Sequence, residues 1–278
     1  MSSGVGNKTR TETARAKVNL TLHVGAVRAD EYHPLDSLVV FADIGDHLTF
    51  TPVEETRLTI TGADDLPTGP DNLILRAMTL AQAAPHHIHL QKNLPVSAGL
   101  GGGSANAGAV LRMFENSMSD HDLAYQLGAD IPVCRWSRTA MMRGIGEEVE
   151  LLPGLGQLSA VLVNPGVAVS TGVIFKSMDA KPRAAEPKPN ATSGDLLSLA
   201  LAGVNDMQDF AIAQAPVISD VLRALAQQPD CQLARMSGSG ATCFGIFRSD
   251  AQAVAFATSL SAAQPDWWVR ACKLGDAA

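Results

Sequence analysis

The chain has 278 residues, a formal net charge of −7, and 46% hydrophobic against 18% charged residues. That length and balance suit a globular protein of two lobes with a sizeable core, and they exclude a disordered or fibrous chain. The acidic balance, with no block of basic residues, argues against nucleic acid or an anionic membrane as the main partner.

No apolar run reaches the length of a membrane span and no apolar leader opens the chain, which places it in the cytoplasm. Cys134, Cys231, Cys243 and Cys272 lie far apart, form no paired spacing, and read as buried thiols. An acidic chain that binds polyanionic small molecules has to gather cations locally, and Lys17 and Lys92 are the candidates.

Residues 1–13 are rich in Ser, Thr and Gly and read as a flexible tail. From Ala14 apolar and polar residues alternate through Val24, the pattern of a half-buried strand, which sets Lys17 and Asn19 together on the face opposite the core. Residues 28–34 form a polar turn carrying Tyr32 and His33. Strands are expected at 38–41 and 47–50, separated by a turn at 43–46. Asn72 is placed to cap a helix over 73–81. His86, His87 and His89 lead into a strand ending at Lys92, and read as an exposed strand face because no Cys or carboxylate stands at ligand spacing.

Leu94-Pro95-Val96-Ser97-Ala98-Gly99-Leu100-Gly101-Gly102-Gly103-Ser104 then runs straight into a helical pattern. A Walker A loop is excluded because no lysine follows the last glycine. The dinucleotide fingerprint fails because Ser104 stands where its last glycine belongs. Two readings remain: a tight turn that permits close packing, or an anion cradle at the positive end of a helix. That helix is expected from 104 to about 117, with another from 120 to 127.

Gly128-Ala129-Asp130-Ile131-Pro132-Val133 sets a carboxylate in an apolar turn, either bracing the turn or doing chemistry. The composition shifts near 153, which separates an N-terminal lobe at 14–153 from a C-terminal lobe at 154–278. The second lobe is expected to hold a buried strand at 159–163, a mobile Pro-rich loop at 180–194 and helices near 195–202, 204–215 and 217–227. A small-residue turn at 236–242 then leads to strands at 243–247 and 269–273. Interleaved strands and helices without a strict alternation favour an α+β fold.

Ala16-Lys17-Val18-Asn19-Leu20, Arg28-Ala29-Asp30-Glu31-Tyr32-His33, the stretch from Gly99 to Asn106, Gly128-Ala129-Asp130 and Ser237-Gly238-Ser239-Gly240 together resemble the GHMP superfamily of small-molecule kinases. The first two narrow the resemblance to the branch acting on a cytidine-diphosphate-linked methylerythritol in the non-mevalonate isoprenoid route. The resemblance implies a two-lobed fold whose N-terminal lobe is ribosomal-protein-S5-like, with a left-handed βαβ crossover. It implies ATP and Mg²⁺ as cofactors and a small molecule as partner. Asp130 is then the base that accepts the proton of the substrate 2-hydroxyl, and Lys17 orients it.

Asn19, Tyr32, His33, Phe175, Gly238 and Ser239 are implied to meet the substrate, with Tyr32 and Phe175 around the cytosine and His33 at its edge. Phe175 read by itself favours a core-packing residue. Asn72 and Lys92 correspond to positions near the adenine. Pro95, Gly99, Leu100, Gly101, Gly102, Gly103, Ser104 and Asn106 correspond to the nucleotide loop, with the Ser104 hydroxyl toward phosphate or Mg²⁺ and no metal ligand assigned. The competing readings are another GHMP kinase, of homoserine or mevalonate type, and a non-catalytic nucleotide-binding regulator.

Overall fold

The alternation that opens the chain folds as the strand it predicts, and it starts earlier: β1 runs Arg10–Asn19 and is followed by a short β2 (His23–Val24). The computed structural model describes residues 8–114, 118–191 and 193–276. The expected tail is therefore strand from residue 10, and residues 1–7 lie outside the described residues.

β1 pairs antiparallel with β3 (Leu35–Pro52), a strand of 18 residues that replaces the two short strands and the turn expected at 38–50. Gly45 explains why the chain does not reverse there. A Cβ on it would stand 2.2 Å from the carbonyl oxygen of Ala14, so the glycine lets two backbones close up within the sheet. β1 slips register between Arg15 and Lys17, and such a bulge re-aims the side chains that follow it. Lys17 and Asn19 accordingly leave the core face, yet they are only 4% and 1% exposed. The glycine-rich loop and residues 237–238 cover them.

β4 (Arg57–Thr61), α1 (Leu73–Leu80) and β5 (His86–Gln91) come next, with β4 and β5 parallel and β5 antiparallel on β3. α1 starts at its expected cap: Asn72 Oδ1 accepts from the Ile74 amide at 2.9 Å. His86 is buried, and only His87 and His89 show part of their surface. α2 (Gly102–Met113), α3 (Asp120–Leu127) and α4 (Ile131–Trp136) pack over this sheet, where Phe50, Ile88, Leu90, Val110 and Ile131 close the first core. The expected helix end at Ser117 lies outside the described residues. β6 (Ala140–Gly144) pairs with β3 and with β7 (Glu148–Leu151), and the turn at the expected lobe boundary leads to β8 (Gln157–Asn164).

The second half holds α5 (Thr171–Asp179), α6 (Leu196–Ala202), α7 (Gln208–Gln214), α8 (Val217–Ala226), β9 (Cys231–Met236), β10 (Cys243–Phe247), α9 (Asp250–Ala263) and β11 (Trp268–Gly275). Strand order runs β4-β5-β3-β11-β8-β10-β9, so the last strand returns to the first half through the pairing of Leu274 with Ala42. The mixed sheet with helices is the α+β class expected.

Two corrections concern this half. The loop at 180–194 is pinned: Asn190 Nδ2 donates to Asp36 Oδ1 at 2.6 Å and Arg183 to the Val24 carbonyl at 2.9 Å. α9 has no counterpart in the sequence reading, because its buried stripe is Ala253, Ala257 and Leu260, too small to mark a face.

Arg235 ties the halves together from inside. Its guanidinium donates to the carbonyls of Leu20, Ala200 and Gly203, and burial lowers its pKa to about 10. Arg235→Met should therefore lower the unfolding free energy by about 3 kcal/mol or more, since it strips charge-assisted bonds from three carbonyls. Urea titration followed by far-UV circular dichroism measures that loss.

Candidate active site

The glycine-rich loop descends from β5, and its start is held by Asp46, a residue the sequence reading leaves in a turn. Asp46 is fully buried. Its Oδ1 accepts the amides of Asn93 and Leu94 at 2.8 and 2.9 Å, and its Oδ2 accepts Lys92 Nζ at 2.6 Å. Lys92 is thus no free cation awaiting an anion.

Beyond it Gly99 adopts φ +71° and Gly101 caps α2 without any side-chain bond. The amides of Gly102, Gly103 and Ser104 therefore have no helical partner. They open on a cleft of about 540 Å³, which Asn72, Lys92, Pro95 and Asn106 also line. Leu100, between Gly99 and Gly101, does not line the cleft, and its side chain is 1% exposed within the core. Its carbonyl instead accepts the Lys17 amide at 2.9 Å.

α2 and α4 touch where α2 has a glycine. A Cβ on Gly108 would lie 2.6 Å from the carbonyl of Cys134, so this glycine lets α4 close against α2. Asp130 is the residue at the N-cap of α4, just before Ile131, and its side chain makes no capping bond. Its Oδ1 accepts Lys17 Nζ at 2.7 Å, with Lys17 5% and Asp130 36% exposed in their side chains. The carboxylate therefore does not brace its turn. It is held from one side and open to the cleft on the other. One turn on, burial and the neighbouring Asp130 charge push the Cys134 thiol up to about 12, so it stays a thiol.

A second cleft, of about 810 Å³, is lined by Lys17, Asn19, Tyr32, His33, Phe175, Gly238 and Ser239. Ser104, Asp130, Thr171 and Ser239 belong to both clefts.

Tyr32 and Phe175 share the second cleft but do not face each other as a pair. Phe175, half-buried against the second core, is stacked by His33 at 4.4 Å and 11°. His33 is set by Nδ1 donating to the Gly25 carbonyl at 3.1 Å, with Nε2 3.5 Å from Asp179. Tyr32 is 45% exposed and meets Tyr125 edge-on at 6.1 Å.

Thr171, whose hydroxyl donates to Ser239 Oγ at 2.8 Å, and Lys176 also line this cleft and carry no sequence signal. Among the described residues no group of three His, Cys, Asp or Glu is arranged to hold a metal ion, and no helix is long and apolar enough to cross a membrane.

Family models described as the GHMP kinases N terminal domain and GHMP kinases C terminal match residues 72–135 and 190–266. The chain is 49% identical over 263 residues to the 4-diphosphocytidyl-2-C-methyl-D-erythritol kinase of Dinoroseobacter shibae, covering 92% of each chain. It is 47% identical over 275 residues to the enzyme of the same name from Paracoccus denitrificans, covering 96% of this chain and 98% of that one. A crystal structure of 4-(cytidine 5'-diphospho)-2C-methyl-D-erythritol kinase superposes with a TM-score of 0.76 at 30% identity, over 96% of this chain and all of the other. A homoserine kinase from Cytophaga hutchinsonii, at 18% identity and a TM-score of 0.67 over 100% of this chain and 98% of that one, shares the fold.

The Asp46–Lys92 pair yields a stability prediction. Asp46→Asn keeps an acceptor for the two amides but leaves a buried ammonium unpaired, and should cost about 3–5 kcal/mol. Adding Lys92→Met to that variant should restore most of the loss, and the two urea midpoints together decide it.

Proposed function

The chain belongs to the GHMP kinases, in the branch of the 4-diphosphocytidyl-2-C-methyl-D-erythritol kinases, and we propose that within it Asp130 takes the proton of the substrate 2-hydroxyl as the γ-phosphoryl group of ATP arrives. The protein is an ATP-dependent small-molecule kinase of isoprenoid precursor synthesis. The observation supporting the catalytic assignment is the 2.7 Å Lys17–Asp130 pair, in which Lys17 lines the second cleft and Asp130 lines both.

Phosphoryl transfer asks a protein for positioning and for charge stabilisation more than for covalent help. The cleft at 99–106 offers the triphosphate three unpartnered amides and the positive end of a twelve-residue helix. Lys17 holds Asp130 by one oxygen, which leaves the other for the substrate hydroxyl.

Mg²⁺ suits the donor set only in part. The Ser104 hydroxyl and the Asp130 carboxylate are hard oxygen donors lining both clefts. With no preformed cluster of protein ligands among the described residues, the nucleotide phosphates would supply most of the coordination. Bound there, the ion would neutralise charge on the transferring group.

The second cleft suits the cytidylyl end: Phe175 offers an aromatic face, with the His33 imidazole stacked on it in this structure and available to the base edge. Neither homoserine nor mevalonate carries a base that would use these rings. An ADP-release assay over a panel of hydroxyl substrates with and without the cytidylyl group tests the reading, and equal turnover of homoserine or mevalonate would overturn it.

Asp130→Ala should reduce kcat by about 100- to 10,000-fold while ATP affinity stays within about twofold, because a base acts in the transition state. Single-turnover kinetics and equilibrium titration separate the two quantities. Phe175→Ala should weaken the cytidylyl substrate by about 1–3 kcal/mol, the size of a stacking contact, with the KM for ATP unchanged. A loss on the ATP side instead would exchange the two clefts.

A further inference from the structure

Asn19 sits next but one to Lys17 on β1, almost wholly buried, on the wall of the substrate cleft. Its amide has two ends, and which end meets the cleft decides what the site can bind. The Thr21 carbonyl can only accept a hydrogen bond, so Ser37 Oγ, 2.6 Å from it, must spend its single proton there. Toward Asn19, 2.8 Å away, the same oxygen can then only accept, and the atom facing it must be Nδ2. The Asn19 backbone is fixed separately, its amide donating to Ser237 Oγ at 3.1 Å while that hydroxyl donates to the Gly99 carbonyl at 2.9 Å.

What remains is Asn19 Oδ1, buried and without a partner. A buried acceptor left without a donor is costly, and such an atom in a cleft wall calls for a ligand that brings one. Gly238 lies beside this oxygen, where a Cβ would already be in contact with it at 3.5 Å, so the missing side chain leaves space next to Oδ1.

We propose that Ser37 is a positioning residue that holds Asn19 with its amide oxygen toward the substrate cleft, so that the site selects a substrate carrying a second hydroxyl, a donor, next to the one that is phosphorylated. Ser37 is fully buried and does not line the cleft, so it acts only through Asn19. Without its hydroxyl, Nδ2 loses its acceptor and the amide is free to turn either end outward. The inference rests on the kinase reading above.

The experiment is a cycle between protein and substrate, read by ADP release at saturating ATP. Turnover of the parent cytidylyl substrate by the wild-type enzyme comes first. Its absence would refute the kinase reading, not this one. Wild-type kcat/KM should then fall about 30-fold on one of two analogues, lacking the hydroxyl on the carbon to one side or the other of the phosphorylated position. Ser37→Ala should raise the KM for the parent about tenfold, leave the KM for ATP within twofold, and discriminate against that analogue less than threefold. Ser37→Thr, which keeps the hydroxyl, should stay within about threefold of wild type. A wild-type enzyme indifferent to both deletions overturns the proposal without any variant. So does a Ser37→Ala enzyme that loses equally on parent and analogues, or whose two KM values rise together, as a packing residue would behave.

Discussion

Three stretches of backbone meet at one hydroxyl. Ser237 Oγ accepts the amide of Asn19 and donates to the carbonyl of Gly99, and a Cβ on Gly99 would stand 2.4 Å from the Ser237 carbonyl oxygen. Nearby the Thr242 amide donates to the Ala98 carbonyl at 3.2 Å. The glycine-rich loop is thereby laid between β1 and the turn after β9, and none of the three can shift without breaking bonds to the other two. Glycine at 99 is demanded twice over, by a φ of +71° and by this crowding. The carbonyls of Ala98, Gly99, Leu100 and Gly101 are each engaged within the protein, while the amides that open α2 are left to a ligand.

That junction fixes the distance between two clefts built from different parts of the chain. The cleft proposed for the nucleotide depends on where α2 begins, and the one proposed for the substrate on β1, the turn at 28–34 and α5. The Lys17–Asp130 pair spans them, with one partner on the strand that carries the junction and the other on α4. Gly108 completes the arrangement by letting α2 and α4 approach closely enough for Asp130 to reach Lys17. In the proposed role of base, a carboxylate held by rigid elements on both sides loses little freedom when substrate arrives, and much of the advantage of orientation is secured that way.

Features with a local cause were readable from the sequence. Alternation revealed β1, Asn72 announced its own helix, and the glycines of the loop declared a backbone close to something. Features whose cause lies elsewhere in the chain were not. Asp43-Ile44-Gly45-Asp46 has the composition of a turn, and only the press of Ala14 against Gly45 turns it into strand and Asp46 into the partner of Lys92, 46 residues on. Ser37 looks like any serine in a strand until the Thr21 carbonyl and the Asn19 amide are both placed beside it. Tyr32 and Phe175 line one cleft, but only Phe175 is stacked by His33, whose ring is aimed by the Gly25 carbonyl. The family resemblance supplied roles that no local pattern contained.

The charge argument changes most. An acidic chain expected to gather free cations for a polyanionic ligand instead pairs both of the lysines singled out for that purpose, Lys17 with Asp130 and Lys92 with Asp46. As pairs they add little net positive potential. In the proposed nucleotide cleft, attraction for a triphosphate then falls to the amides of Gly102, Gly103 and Ser104 and to the dipole of α2, fixed partial charges that need no desolvated ammonium and no side-chain ordering. Such a cradle works in a protein of net charge −7 because it acts at contact distance, where the field of distant surface carboxylates is largely screened. The paired lysines are left with a geometric task, one holding Asp130 and the other holding the strand that delivers the loop.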